Sequence, residues 1–201
     1  MNFQNQQEAQ VWFNFRNGDD KALALIYSGT AKILYQYGLK FTSNTDIIED
    51  SIQDLFSDLI RNRRNLGETD NIEFYLLKSF RRKLLRQLQY ESRFTDKEFT
   101  EVMFGVRYSI EQEIISNESY QDLSKQLFDA IEKLSPRQKE AIYLKFTKGL
   151  EYEEISQILD MGVEACRNLI YRAVKSLKGS IDTSYRNHIL LLISRRLVLC
   201  K

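Results

Sequence analysis

Apolar residues recur along the chain at intervals of three and four, with almost no strict alternation, and this spacing predicts helices throughout. The segment 13–36 carries Phe15, Ala22, Leu23, Ile26, Tyr27, Ile33 and Leu34, with Gly18-Asp19-Asp20 as a start signal before Lys21. It reads as one or two packed helices. Residues 42–46 then offer polar caps to a run of Ile47, Ile48, Ile52, Leu55, Phe56, Leu59 and Ile60, a spacing that leaves Asp50, Gln53, Asp54 and Ser57 facing outward. The stretch NLGETDN at 65–71 breaks the periodicity, and a long helix is predicted from Ile72 to Gln89 with Phe74, Leu77, Phe80, Leu84, Leu85 and Leu88 as its stripe.

Between residues 93 and 122 the pattern loosens around Phe94, Phe99, Met103, Phe104 and Tyr108, which marks an inter-domain linker. Its aromatic composition, poor in Gly, Ser and Pro, predicts a segment that packs on a neighbouring domain and does not behave as a free coil. A second unit begins near Leu123, with one helix through Leu134 and another, capped by Ser135 with Pro136 in its first turn, to Lys148. Tyr152 to Leu159 and Val163 to Lys178 then read as two helices joined by Asp160-Met161-Gly162, a helix-turn-helix. Val163, Cys166, Ile170, Ala173 or Val174, and Leu177 form the inner face of the second. The apolar tail 181–201, broken by Arg195-Arg196, is too short and too charged to span a bilayer and reads as an extra helix closing the core. A sharper alternative has it restraining the free protein by packing on the linker or the acidic helix.

Composition narrows this to an all-α chain: two helical domains joined by a linker, the second containing the helix-turn-helix. Pro136 is the sole proline, there are only 8 glycines, and the 201 residues suffice for two compact units. A formal charge of +1 conceals a block pattern. Five acids and no basic residue lie between Asp46 and Ile60; eight basic residues against three acids follow between Arg61 and Tyr90; seven acids against three basic residues fill the linker. Such alternation predicts several partners of different charge. Cys166 and Cys200 stand far apart and His188 has no companion at ligand spacing, so reduced thiols, no metal and no cofactor are expected. With no secretory signal after Met1, a cytoplasmic protein is expected.

The chemistry of the second helix-turn-helix helix suits a major groove. Glu164, Ala165, Arg167, Asn168, Tyr171, Arg172 and Lys175 point away from the apolar face, with Lys178 beyond them. Glu164, Arg167 and Asn168 are the base-contact candidates near its N-terminus, and Arg172, Lys175 and Lys178 would neutralise phosphates. Two amphipathic helices with a tight turn also occur as plain packing units in many helical proteins.

Taken over roughly Val11 to Lys178, the chain resembles a bacterial extracytoplasmic-function sigma factor, which keeps only sigma domains two and four. The stretch IEDSIQDLF at 48–56 is similar to the family's acidic helix, with Asp50, Gln53, Asp54 and Phe56 matching its D-x-x-Q-[ED]-x-F pattern. The resemblance implies that these residues meet the clamp helices of the RNA polymerase beta-prime subunit, and an outward face of acids alone suits a basic protein surface. It also implies that Asn71, Tyr75, Lys78, Ser79, Arg81, Arg82 and Lys83 hold the melted minus-ten element, where cations meet phosphates and rings meet unstacked bases. Leu134-Ser135-Pro136-Arg137-Gln138 and Tyr152-Glu153-Glu154-Ile155 resemble the fourth sigma domain, whose reading helix takes the minus-thirty-five element; the polymerase beta flap is its implied partner. The implied divisions are 1–92 for domain two, 93–122 for the linker, 123–180 for domain four and 181–201 for an extension.

Asp160 departs from the family pattern, because many relatives carry Gly in that turn, and Gly162 follows only two positions later. This leaves the register of the reading helix open. The implied function is a non-enzymatic promoter-specificity subunit that binds core RNA polymerase and promoter DNA, has no small-molecule substrate and is held in check by an anti-sigma factor. No nucleophile constellation, phosphate loop or metal cluster is recognisable. The competing function is an autonomous helix-turn-helix regulator that needs no polymerase.

Overall fold

The computed structural model describes residues 3–92, 104–105 and 126–180. The chain divides into two compact units, Met1–Thr100 and Glu101–Lys201, and every regular element among the described residues is helical.

In the first unit α1 spans Phe3–Arg16, α2 Asp20–Gly38, α3 Thr45–Asn62 and α4 Ile72–Ser92, with a single 3-10 turn at Arg63–Asn65 after α3. Local chemistry sets the starts. Asp19 accepts from the Lys21 and Ala22 amides at the head of α2, and Asn44 accepts from Asp46 and Ile47 at the head of α3. Between α1 and α2 the chain reverses at Gly18, whose φ of +97° lies in the region that glycine enters without steric cost. Helix α1 begins well before the apolar pattern becomes legible, because its first turns hold mostly polar residues.

Two long-range hydrogen bonds fasten α1 to the rest of the unit. The Trp12 indole Nε1 donates to the Gly67 carbonyl at 2.8 Å, and a Glu8 carboxylate oxygen accepts from the Ile72 amide at 2.8 Å. The latter satisfies one of the amides that a helix start leaves unpaired. Trp12, Phe15, Leu34, Tyr37, Ile48, Leu76, Leu77, Phe80 and Leu84 form the core. Each such burial contributes about 1.5–3 kcal/mol. At Gly38 the end of α2 packs tightly on α3 and α4: a β-carbon there would lie 2.7 Å from Ile48 Cγ2 and 3.2 Å from Phe80 Cζ. Ile60, expected inward on α3, is 45% exposed, because it sits one residue beyond the last buried position, Leu59.

In the second unit residues 126–132 form α5, followed by α6 at Pro136–Ile142, α7 at Tyr152–Ile158 and α8 at Val163–Ser180. Ser135 and Gln138 close a reciprocal capping box, with Pro136 in the first turn. The expected helix to Lys148 is not uniform: after Ile142 it widens into a π turn at Tyr143–Thr147. Gly149, at φ +68°, ends it, and the Leu150 amide reaches back to the Leu144 carbonyl. The helix-turn-helix turn is closed by Asp160, which adopts φ +52° itself, while the Met161 amide donates to the Ser156 carbonyl at 2.9 Å. Asp therefore takes a left-handed conformation at this turn, as a short polar side chain tolerates.

Arg137 Nη2 donates to the Leu159 carbonyl at 3.0 Å, placing a cation on the C-terminal end of α7. Cys166, Ile170, Ala173 and Leu177 are buried on α8, so Ala173 rather than Val174 completes the inner face. Of the linker, Phe104 is described: it is buried in this unit, with its ring 5.7 Å from Tyr143. The proposed tail, 181–201, lies outside the described residues.

Candidate functional site

Three exposed helix faces carry the residues singled out from the sequence. On α3, Asp50, Gln53 and Asp54 are exposed together with Asp46, Glu49 and Ser57, giving an outward surface with no cation on it until Arg61. Phe56 does not join them. It is 6% exposed and meets Tyr27 edge-on at 4.9 Å, so it supports the acidic face from the core side. Asp58 turns toward α4 and pairs with Lys83. The Lys83 ammonium holds the Asp58 carboxyl below the usual carboxylate range, against a smaller opposing effect of burial.

The residues gathered on α4 divide by role. Asn71 caps the helix, its side-chain oxygen accepting from the Phe74 amide at 2.9 Å. Tyr75 is half-buried with its ring 4.8 Å from Trp12, and burial pushes its phenol up, with Arg82 opposing. Ser79 and Arg81 are half-buried, and Lys83 faces Asp58. Lys78 and Arg82 are exposed, and Lys78 holds its ammonium 5.9 Å from the Phe74 ring. The basic stripe continues to exposed Arg86, one turn beyond Arg82. The i, i+4 spacing of Lys78, Arg82 and Arg86 could have placed Arg86 in the set from sequence alone.

On α8 all eight candidates, Glu164, Ala165, Arg167, Asn168, Tyr171, Arg172, Lys175 and Lys178, are exposed. Tyr171, at 65%, projects its ring from the middle of this face. Arg167 is held by two hydrogen bonds: Nη1 donates to Glu164 and Nη2 to Glu153, each at 3.1 Å. Its guanidinium carbon lies 5.6 Å from the Tyr152 ring. Glu153 belongs to α7, and only the tertiary fold brings it to α8. Beneath this face Cys166 is fully buried, and its thiol is pushed up first by burial and then by the Glu153 charge, with Lys145 opposing. That places Cys166 among the inert packing thiols.

Residues 124–177, covering α5 through α8, match the family "Sigma-70, region 4". The chain resembles the extracytoplasmic-function sigma factors. It is 36% identical over 72 residues to the ECF RNA polymerase sigma-E factor of Haemophilus influenzae, a match covering 36% of this chain and 36% of that protein. It is 37% identical over 51 residues to the ECF RNA polymerase sigma factor BldN of Streptomyces coelicolor, covering 25% of this chain and 19% of that protein. The matches thus span about a third or less of these relatives. Among solved structures, CnrH in complex with the cytosolic domain of CnrY superposes with a TM-score of 0.57 at 16% identity, over 86% of this chain and 95% of that one. The sigma factor RpoE in complex with the anti-sigma factor NepR, from Bartonella quintana, gives 0.54 at 18% identity, over 80% and 94%. These likenesses show a shared fold, and the region 4 match spans α7 and α8 as far as Leu177. No described helix is long and apolar enough to cross a membrane.

Proposed function

We propose that the chain is a sigma factor, a non-catalytic subunit that joins core RNA polymerase and directs it to promoters. The observation that carries this reading is the sigma-70 region 4 match over a helix-turn-helix whose second helix exposes eight polar, basic or small residues on one face. Residues 1–92 serve as sigma domain two, 93–122 as linker, 123–180 as sigma domain four and 181–201 as an extension. The acidic face of α3, with Asp50, Gln53 and Asp54 outward and Phe56 behind them, binds the beta-prime clamp helices, where unlike charge steers and registers the encounter. Lys78, Arg82 and Arg86 hold the phosphates of the minus-ten element, while Tyr75 and Asn71 shape the start of that helix. The face of α8 takes the minus-thirty-five element, and domain four rests on the beta flap.

The chain acts in the cytoplasm, where its polymerase and promoters are. Because CnrH and RpoE were solved with CnrY and NepR, an inhibitory protein of the anti-sigma kind is the natural further partner. Resemblance to proteins named as polymerase sigma factors disfavours an autonomous regulator. The test is capture of core RNA polymerase by the purified chain, with and without Asp50→Lys and Asp54→Lys. We expect the double reversal to weaken capture by about 100-fold, since like charges set against each other cost several kcal/mol. Undiminished capture, or tight binding of palindromic duplex by a dimer that ignores polymerase, would sink the proposal.

A further inference from the structure

We infer that Glu153, on the first helix of the helix-turn-helix, is a positioning residue that fixes the base specificity of Arg167 on the second. The inference rests on the reading of α8 as the promoter-reading helix and names a determinant outside it. An arginine on an exposed helix face ordinarily samples many rotamers, and the loss of that freedom on docking weakens discrimination. Here the guanidinium is held before any DNA arrives. Glu153 and Glu164 take one donor each from different terminal nitrogens, and its carbon sits 5.6 Å over the Tyr152 ring.

Tyr152 is itself held: the Lys145 ammonium lies 4.6 Å from its ring and also donates to the Leu150 carbonyl and to Glu151. The chain of support therefore runs from the π turn through the start of α7 to the side chain that faces the groove. A guanidinium carries five N–H donors, so the two carboxylates leave three, enough for a bidentate contact with guanine O6 and N7. Glu164, whose Oε1 accepts from Arg167, keeps Oε2 to accept from the amino group of an adjacent cytosine. Arg167 and Glu164 thus work as a donor and acceptor pair in fixed relation, with Glu153 holding the donor from the side of α7.

The experiment is selection from a randomised duplex pool by the full chain reconstituted with core RNA polymerase, followed by sequencing of the bound fraction. Arg167→Ala identifies the base position that Arg167 reads. Glu153→Ala is expected to reduce preference at that same position by roughly tenfold while leaving preferences elsewhere intact. Glu153→Gln keeps an acceptor and is expected to retain much of the preference. That contrast separates positioning from charge, because both variants remove the same negative charge and a simple repulsion of DNA would move both alike. Equal effects of the two variants, or no effect of Glu153→Ala where Arg167→Ala changes a position, would overturn the inference while leaving the reading of α8 in place. If Arg167→Ala alters no position, the reading of α8 itself fails. Glu153 is exposed, and a melting curve for each variant confirms that the fold is unchanged.

Discussion

Helices α3 and α8 are each 18 residues long and each bury one apolar face, yet their outward surfaces are opposite in charge. Apart from Asp58, which pairs with Lys83, the acids of α3 share their helix with no cation before Arg61, whereas the foremost cation of α8 is engaged by two carboxylates before any partner arrives. The difference shows that inward spacing fixes where a helix sits, while the outward residues decide what it meets and how selectively. A bare acidic face suits fast, forgiving attachment to a large basic surface; an arginine already held in place suits discrimination between bases.

Reversing α8 should have the largest effect. Arg172→Glu with Lys175→Glu is expected to lower affinity for duplex DNA by about 100-fold at moderate salt, because the two charges proposed to neutralise phosphates become repulsive. Capture of core polymerase through α3 should be little affected; equal loss of both would mean that the two faces do not serve separate partners. Fluorescence-anisotropy titrations against several unrelated duplexes would read the first quantity.

Next in size is the packing beneath α3. Gly38→Ala places a methyl group 2.7 Å from Ile48 Cγ2 in a site where Ile48 is fully buried, so a loss of about 1–3 kcal/mol of stability is expected from denaturant unfolding. An unchanged midpoint would show that the α2, α3 and α4 junction yields more readily than its contacts imply.

The smallest effect concerns pH. Because Lys83 holds the Asp58 carboxyl below its unfolded value, the unfolded chain takes up this proton first as pH falls. The contribution is present above the ordinary carboxylate range and is lost as pH drops through that range toward the folded value. Asp58→Asn should therefore lower stability slightly near neutral pH and flatten its acid limb. A mutant whose stability falls with acid as steeply as the parent would show that the pair is only a surface contact, of the weak kind that exposed ion pairs often are.

Much of the fold could be read locally. Asp19, Asn44 and Ser135 announce helix starts because a cap needs only a side-chain acceptor two or three residues before a free amide. The inner face of α8 follows from apolar spacing, apart from the choice of Ala173 over Val174. Helix α1 was less legible, since its attachment depends on Trp12 and Glu8 reaching residues more than fifty positions away. The resemblance set Phe56 beside Asp50, Gln53 and Asp54 as a polymerase contact, whereas its apolar spacing, next to Leu55 and one turn after Ile52, already assigned it to the core, where it is buried. Likewise Tyr75 fell within a basic and aromatic segment, and its stacking against Trp12 emerges only once α1 is in place, whereas the Asn71 cap is local. The hold of Glu153 on Arg167 joins two helices and leaves no periodic signal in either. Asp160 stood out because of its departure from glycine, but only the backbone shows that the departure is accommodated at φ +52°.

Trp12 is the sole tryptophan of the chain, and it is 1% exposed, within ring contact of Phe15 and Tyr75 and hydrogen-bonded to the loop that precedes α4. Ultraviolet emission excited at the indole band is consequently a private optical signal of the first unit. It should be blue-shifted in the folded chain, move to the red when α1 leaves α4, and stay silent when only the helix-turn-helix unit melts. Circular dichroism registers both events, so the two signals together allow the stability of each half to be assigned within one intact molecule.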